Sequence, residues 1–95
     1  MTGLPVLAVY TRPGCHLCEI LIEELLPLAA ERATVDVRNI DTRDEWQAAY
    51  AERIPVVELD GRCLSQYRLD RGAVLTALAD YPGVRPAAGR GDPAV

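Results

Sequence analysis

The chain of 95 residues contains no lysine and no phenylalanine, and only one histidine, one methionine and one tryptophan. All ten basic residues are therefore arginine, a pattern we read as coding bias rather than chemistry. Acidic residues outnumber them by 14 to 10, and the resulting net charge of -4 argues against nucleic acid as the main partner, which needs a basic face. Long apolar runs are missing too. Met1-Thr2-Gly3-Leu4-Pro5 is not a basic stretch leading into an apolar one, so neither a signal peptide nor a membrane span is expected, and a cytoplasmic protein with no membrane partner is. Cysteine is scarce. Three cysteines, two of them close together, suggest catalytic or metal chemistry in a reducing compartment more than a structural bridge. There is no internal repeat and no interdomain linker. A single domain over residues 1–81, large enough to fold without disulfide staples and expected to be a monomer, is followed by a tail over 82–95.

What the sequence does have is concentrated in residues 10 to 18, Tyr10-Thr11-Arg12-Pro13-Gly14-Cys15-His16-Leu17-Cys18. Pro5-Val6-Leu7-Ala8-Val9-Tyr10 is short, apolar and stopped by Pro13-Gly14, which predicts a buried strand. The period then changes. Leu17, Leu21, Ile22, Leu25, Leu28 and Ala29 follow the spacing of one helix face, with Glu19, Glu23 and Glu24 on the other. Cys15 is thus expected at a helix N-terminus, where free N-H groups and the helix dipole favour a thiolate over a thiol. Cys18 lies one turn on, within reach of a small disulfide ring. Cysteines so placed titrate at roughly 3.5 to 7.5 instead of about 8.5. Charge on His16 and Arg12 would favour the thiolate further. Zinc sites also use CxxC, but usually with a second pair, and here only Cys63 and His16 remain; haem attachment needs histidine after the second cysteine, where Glu19 stands. No metal ligand is assigned.

The helix should run from Cys15 to about Arg32, with Pro27 either kinking it back to Glu23 or breaking it at Leu26. Residues Ala33 to Ile40 read as a second strand, completing a right-handed βαβ unit. Thr42-Arg43-Asp44-Glu45 reads as a capping box that opens a helix with Trp46, Ala49 and Tyr50 on its inner face and an end before Pro55. Asp60-Gly61 between Val56–Leu59 and Arg62–Ser65 signals a hairpin. Asp70 can cap a last helix whose apolar face is Val74, Leu75, Leu78 and Tyr81. Cys63 reads as a small buried hydrophobe, and Tyr10, at the end of the first strand, as a residue that shapes a groove. The tail is rich in proline and glycine and reads as disordered; its Arg90-Gly91-Asp92 tripeptide is taken as chance.

The strand, the Tyr-Thr-Arg-Pro-Gly-Cys loop and the CxxC opening a helix resemble the active-site loop of the thioredoxin superfamily in its glutaredoxin-like branch. From about Pro5 to Tyr81 the order β-α-β-α-β-β-α is similar too, which implies an α/β thioredoxin-like fold with three helices and a four-stranded mixed sheet. The resemblance implies that Cys15 is a nucleophile and Cys18 its resolving thiol in a thiol-disulfide oxidoreductase. It also implies that Ile54-Pro55 is a cis-proline site beside the CxxC, exposing backbone groups to a thiol substrate. The implied partner is a disulfide-containing protein or a low-molecular-weight thiol. No bound cofactor is expected. Glutathione enters only as a candidate co-substrate, because Ser65-Gln66-Tyr67-Arg68-Leu69-Asp70 lacks the glycine pair that glutathione-binding relatives typically carry after the fourth strand, although Arg12 and Asp70 can supply charges. A metal or iron-sulfur carrier and a non-catalytic binding module are the alternative readings.

Overall fold

A computed structural model describes residues 4–81 of the chain. The expectations for the tail, including its Arg-Gly-Asp tripeptide, lie outside the described residues. Strand β1 (Val6–Thr11) leads into helix α1 (His16–Ala29), strand β2 (Thr34–Asn39), a 3-10 turn (Ile40–Thr42) and helix α2 (Asp44–Tyr50); β3 (Val56–Leu59), β4 (Arg62–Gln66) and helix α3 (Arg71–Asp80) follow. The sheet order is β2-β1-β3-β4, with β1 parallel to β2 and antiparallel to β3, and β4 antiparallel to β3. This is the mixed four-stranded sheet with three helices that the element order implies.

Strand β1 is apolar from Val6 to Tyr10, and from Leu7 onward both of its faces are covered. Leu7 and Val9 join Leu21, Leu25, Val57, Val74 and Leu78 in the larger core beneath α1 and α3. Ala8 and Tyr10 point the other way, to Ile40, Val56 and the half-buried Trp46 and Tyr50 of α2. The Tyr10 ring stacks on Tyr50 with centroids 3.9 Å apart and meets Trp46 edge-on at 5.5 Å. Tyr10 is therefore a core residue of the smaller layer, 5% exposed, and the cavity of about 240 Å³ that it lines, with Val6, Arg38 and Glu58, includes neither Cys15 nor Cys18. Burial, and donation of its hydroxyl to Glu58 at 2.9 Å, hold the Tyr50 phenol above its usual titration range.

Several local expectations are corrected. Helix α1 neither breaks at Leu26 nor reaches Arg32. Pro27 lies in its last turn, where one lost hydrogen bond is tolerated while Leu25 and Ala29 stay buried in the core. The helix ends at Ala29 because the chain must turn back to pair β2 with β1: Glu31 takes φ +65°, and the N-H groups of Arg32 and Ala33 both donate to the Ala29 carbonyl. The buried stripe of α1 is Cys18, Leu21, Leu25 and Ala29, which leaves Leu17 outside at 41% exposure.

The capping box does not form. Asn39 Oδ1 accepts from the Asp41 N-H, and the Thr42 hydroxyl donates to the Asn39 carbonyl. These bonds close a 3-10 turn and consume Thr42 before α2 begins. Arg43 takes the N-cap position without a side-chain cap, and its guanidinium donates to Glu45. Ala49 faces outward, and the inner side of α2 is carried by Trp46 and Tyr50, one turn apart.

In the β3-β4 hairpin, Asp60 (φ 52°) and Gly61 (φ 81°) are both left-handed, as a type I′ turn requires. Val57 pairs with Ser65 and Glu58 with Cys63, so Leu64 is an extra residue in a bulge. The bulge shifts the phase of β4. Leu64 and Ser65 are both buried, whereas Cys63 pairs with Glu58 and is exposed rather than buried, its Sγ donating to the Ser65 carbonyl at 3.7 Å.

Asp70 caps α3, accepting from the Ala73 N-H at 3.0 Å. Its buried stripe is Val74, Ala77 and Leu78, with Tyr81 packed at the margin. Leu75, placed by the sequence pattern in the core, is 38% exposed and lies off that stripe. Leu78→Ala is therefore expected to cost about 2–5 kcal/mol, and Leu75→Ala less than about 1 kcal/mol. Urea unfolding midpoints at unchanged slope measure both, and equal losses would contradict this burial pattern.

Candidate active site

The end of β1 delivers the chain into a turn in which the Cys15 N-H donates to the Arg12 carbonyl at 3.2 Å. Pro13 and Gly14 occupy its central positions, and Gly14 has φ +80°, the pattern of a type II turn. That turn sets Cys15 at the N-cap of α1, with φ -89° and ψ 106°. Its Sγ accepts from the Cys18 N-H at 3.2 Å, doing for this helix what a serine or aspartate oxygen usually does.

The two sulfurs are paired as a disulfide, with the Cα atoms 5.2 Å apart. They differ in access. Cys15 is partly exposed, whereas Cys18 is 2% exposed and belongs to the buried stripe of α1. A reagent arriving from solvent therefore meets Cys15 first, and Cys18 is held behind it.

Arg12 and His16 are both near Cys15 in sequence, but neither is free to act as a simple point charge. The Nε and Nη2 atoms of Arg12 both reach Asp41 Oδ1, at 3.0 and 2.9 Å. The His16 side chain is 82% exposed, with Nδ1 3.8 Å from Glu19 Oε1. Beside the pair, on its β2 flank, opens a cavity of about 290 Å³ lined by Arg12, Pro13, Cys15, Cys18, Ile22 and Val37.

On the other flank, Ile54-Pro55 is a cis peptide. Tyr10 pairs with Val56 in the sheet, so the next step of that antiparallel register sets Pro55 opposite Thr11, at the sheet end from which the Cys15 loop departs. The backbone groups of the dipeptide are mostly engaged. The Ile54 N-H donates to the Tyr50 carbonyl at 3.1 Å, and the Pro55 carbonyl accepts from the Tyr67 N-H at 2.9 Å. The Ile54 carbonyl accepts no hydrogen bond from the described residues.

Two residues of this neighbourhood were not singled out by the sequence. Asp41 offers no local signal, because its contact with Arg12 spans 29 positions. Tyr67 sits where the glycine pair is absent and still adopts φ +67°. It is pinned across the cis-proline loop by its N-H and by its hydroxyl, which donates to the Glu52 carbonyl at 2.7 Å. Among the described residues no group of three or more His, Cys, Asp or Glu side chains is gathered as for a metal ion, and no helix is long and apolar enough to cross a membrane.

Comparison with known proteins agrees with this geometry. Residues 6–79 match the family model described as Glutaredoxin-like domain (DUF836). Uncharacterized proteins of Mycobacterium bovis and Mycobacterium tuberculosis are 33% identical over 72 residues, covering 70% of this chain and 74% of theirs. An NMR structure of a Nitrosomonas europaea protein superposes with a TM-score of 0.70 at 32% identity, covering 80% of this chain and 93% of that one. An X. campestris protein gives 0.63 at 30% identity, covering 80% and 99%; a mutant thioredoxin from Halobacterium salinarum gives 0.58 at 25%, covering 85% and 77%.

Cys63 is exposed and uncapped, so it serves as an internal reference thiol for Cys15. A thiol whose anion is stabilised carries more thiolate at a given pH, a gain that its lower intrinsic nucleophilicity offsets only in part. In reduced protein near pH 6, limiting iodoacetamide is expected to modify Cys15 about tenfold faster than Cys63, with Cys18 slowest, as read by peptide mass spectrometry. Asp41→Asn, which releases Arg12 toward the loop, should raise the Cys15 rate further. Equal rates at Cys15 and Cys63 would remove the case for a cap-stabilised thiolate.

Proposed function

Since the chain belongs to the glutaredoxin-like domain family, we propose that it is a thiol-disulfide oxidoreductase in which Cys15 is the nucleophile and Cys18 the resolving thiol. The observation that carries this reading is the asymmetry of the pair: an accessible sulfur at a helix N-cap and a buried one a turn behind it.

In this mechanism the Cys15 thiolate attacks one sulfur of a substrate disulfide. A Cys15-substrate disulfide forms, and the other substrate sulfur departs as a thiolate that takes up a proton. Cys18, losing its proton, then attacks Cys15 Sγ. The mixed disulfide breaks, the Cys15-Cys18 disulfide forms and the second substrate thiol is released. Two electrons pass from the dithiol to the substrate, and a separate thiol system must return them. The Cys18 N-H, which donates to Cys15 Sγ in the disulfide, stabilises that sulfur as the attacking anion once the pair is reduced. The Ile54 carbonyl, free of intrachain partners among the described residues, is available to accept from the backbone of an incoming segment.

The substrate side of the proposal favours a protein disulfide over glutathione. Both charges that the sequence offers to glutathione are committed elsewhere, Arg12 to Asp41 and Asp70 to the cap of α3. The reading further takes the protein to be a cytoplasmic monomer without a resident cofactor.

Cys15→Ser is expected to abolish turnover of a disulfide substrate, whereas Cys18→Ser should still release the first thiol and then accumulate a covalent adduct on Cys15. Intact-protein mass spectrometry with a thiol-release assay distinguishes the two. Turnover by Cys15→Ser would overturn the assignment.

A further inference from the structure

Three large apolar side chains stand exposed on the flank of the cysteine pair that faces α3: Leu17 at 41%, Ile20 at 38% and Tyr67 at 49%. They are not scattered. All three line one cavity of about 310 Å³, between α1 and the connection from β4 to α3, with buried Leu21 among its other walls. That volume takes one or two side chains of a bound segment rather than a large ligand. Neither cysteine lines this groove; it meets the Cys15-Cys18 loop at Leu17, the residue before Cys18, so a segment bound at the sulfurs can extend into it.

The groove is also charged asymmetrically. Its α3 wall carries Arg68 and Arg71, and its α1 wall carries Glu24. Among the described residues Arg12, Arg38 and Arg43 each hold a carboxylate, namely Asp41, Asp36 and Glu45, whereas Arg32, Arg53, Arg62, Arg68 and Arg71 form no ion pair; of these, Arg68 and Arg71 are the two that line this groove. Asp70 lies between them in sequence, and its carboxylate is turned to the Ala73 N-H. On a chain of net charge -4, these two arginines give one wall of an apolar groove a local positive charge. Arginine seats carboxylates in a planar, two-point geometry, which suits it to recognition.

We propose that this groove selects the substrate: a polypeptide disulfide whose cysteine is accompanied by an apolar side chain, seated between Leu17, Ile20 and Tyr67, and by an acidic residue that meets Arg68 and Arg71. This names a substrate class for the site and rests on the oxidoreductase reading. Glu24 and the acidic outer face of α1 set the orientation, because they repel the same carboxylate from the opposite wall. Basic segments are disfavoured at the α3 wall by like charge.

The test uses the full chain and short peptides whose single cysteine carries a chromogenic aryl disulfide. One peptide has leucine and aspartate beside the cysteine, a second leucine and arginine, a third serine and aspartate; the glutathione aryl disulfide is the fourth substrate. At low salt, kcat/KM for the leucine-aspartate peptide is expected to exceed each of the other three by about tenfold or more, and its margin over the arginine peptide to shrink at high salt. The Arg68→Glu, Arg71→Glu double variant should invert the preference, with the arginine peptide becoming faster than in wild type, a gain that a folding defect does not produce. Equal rates on aspartate and arginine peptides, an unchanged preference in the variant, or glutathione matching the best peptide would each overturn the proposal.

Binding of the same peptides with serine for cysteine, followed by NMR titration of the oxidised protein, separates this from the reading beneath it. If no disulfide is reduced, the oxidoreductase reading fails, and the groove is judged on binding alone. A preference of about tenfold for the leucine-aspartate peptide, reversed in the double variant, supports it, and no preference overturns it.

Discussion

The structure turns on one hydrogen bond, from the Cys18 N-H to Cys15 Sγ at 3.2 Å. Helix N-termini present unpaired donors that an oxygen-bearing side chain usually satisfies. Here the acceptor is sulfur. A neutral thiol accepts weakly, so the helix end is well satisfied only when that sulfur is an anion. In the proposed reading, once the disulfide is reduced, capping and thiolate stabilisation are two descriptions of one interaction. They also bias the redox equilibrium, since whatever stabilises the reduced form makes the disulfide more ready to accept electrons. In the proposed reading, the strength of this cap is a lever on potential, and the Arg12-Asp41 pair is a second one beside it.

The cap is only useful if the helix end is held still, and the two-sided packing of β1 does that. Leu7 and Val9 are fixed beneath α1 and α3, while Ala8 and Tyr10 are fixed against Ile40, Val56 and the aromatic side of α2. The Tyr10 ring between Tyr50 and Trp46 anchors the last turn of chain before the Arg12-Pro13-Gly14 turn. Displacing it would move Cys15 relative to the cis-proline segment, since Tyr10 and Val56 are direct partners in the sheet. The small aromatic layer thereby supports the site from the face of the sheet opposite to α1.

Features set by near neighbours in the chain were legible in advance. The turn before Cys15, the cap of α3 by Asp70 and the Asp60-Gly61 hairpin all depend on contacts within three or four residues, and the sequence states them directly. The order of elements followed from the changes in hydrophobic period. The failures share a different cause. Thr42 had two local uses, and the 3-10 turn closed by Asn39 took it before the capping box formed. The outward face of Cys63 depends on the bulge at Leu64, which is a property of the pairing between two strands and not of either one. Leu75 and Leu17 satisfy a helix period but fall beside the stripe that the neighbouring elements cover. The Arg12-Asp41 pair joins positions 29 apart and needed the fold to be seen.

The region after β4 shows how a departure from the family's pattern can be informative. A glycine pair lets a ligand approach the backbone closely and supplies positive φ without penalty. This chain places Tyr67, Arg68 and Leu69 there, and Tyr67 adopts a left-handed backbone. A left-handed conformation at a residue other than glycine carries a cost on the order of 1–3 kcal/mol. Two hydrogen bonds from Tyr67, to the Pro55 and Glu52 carbonyls, offset that cost and stiffen the cis-proline loop. A half-exposed ring now stands where close backbone approach would otherwise be possible, beside the arginines of the α3 wall. The substitution that weakens the case for a small tripeptide ligand therefore also builds one wall of the apolar groove, so the two halves of the substrate argument come from the same residue.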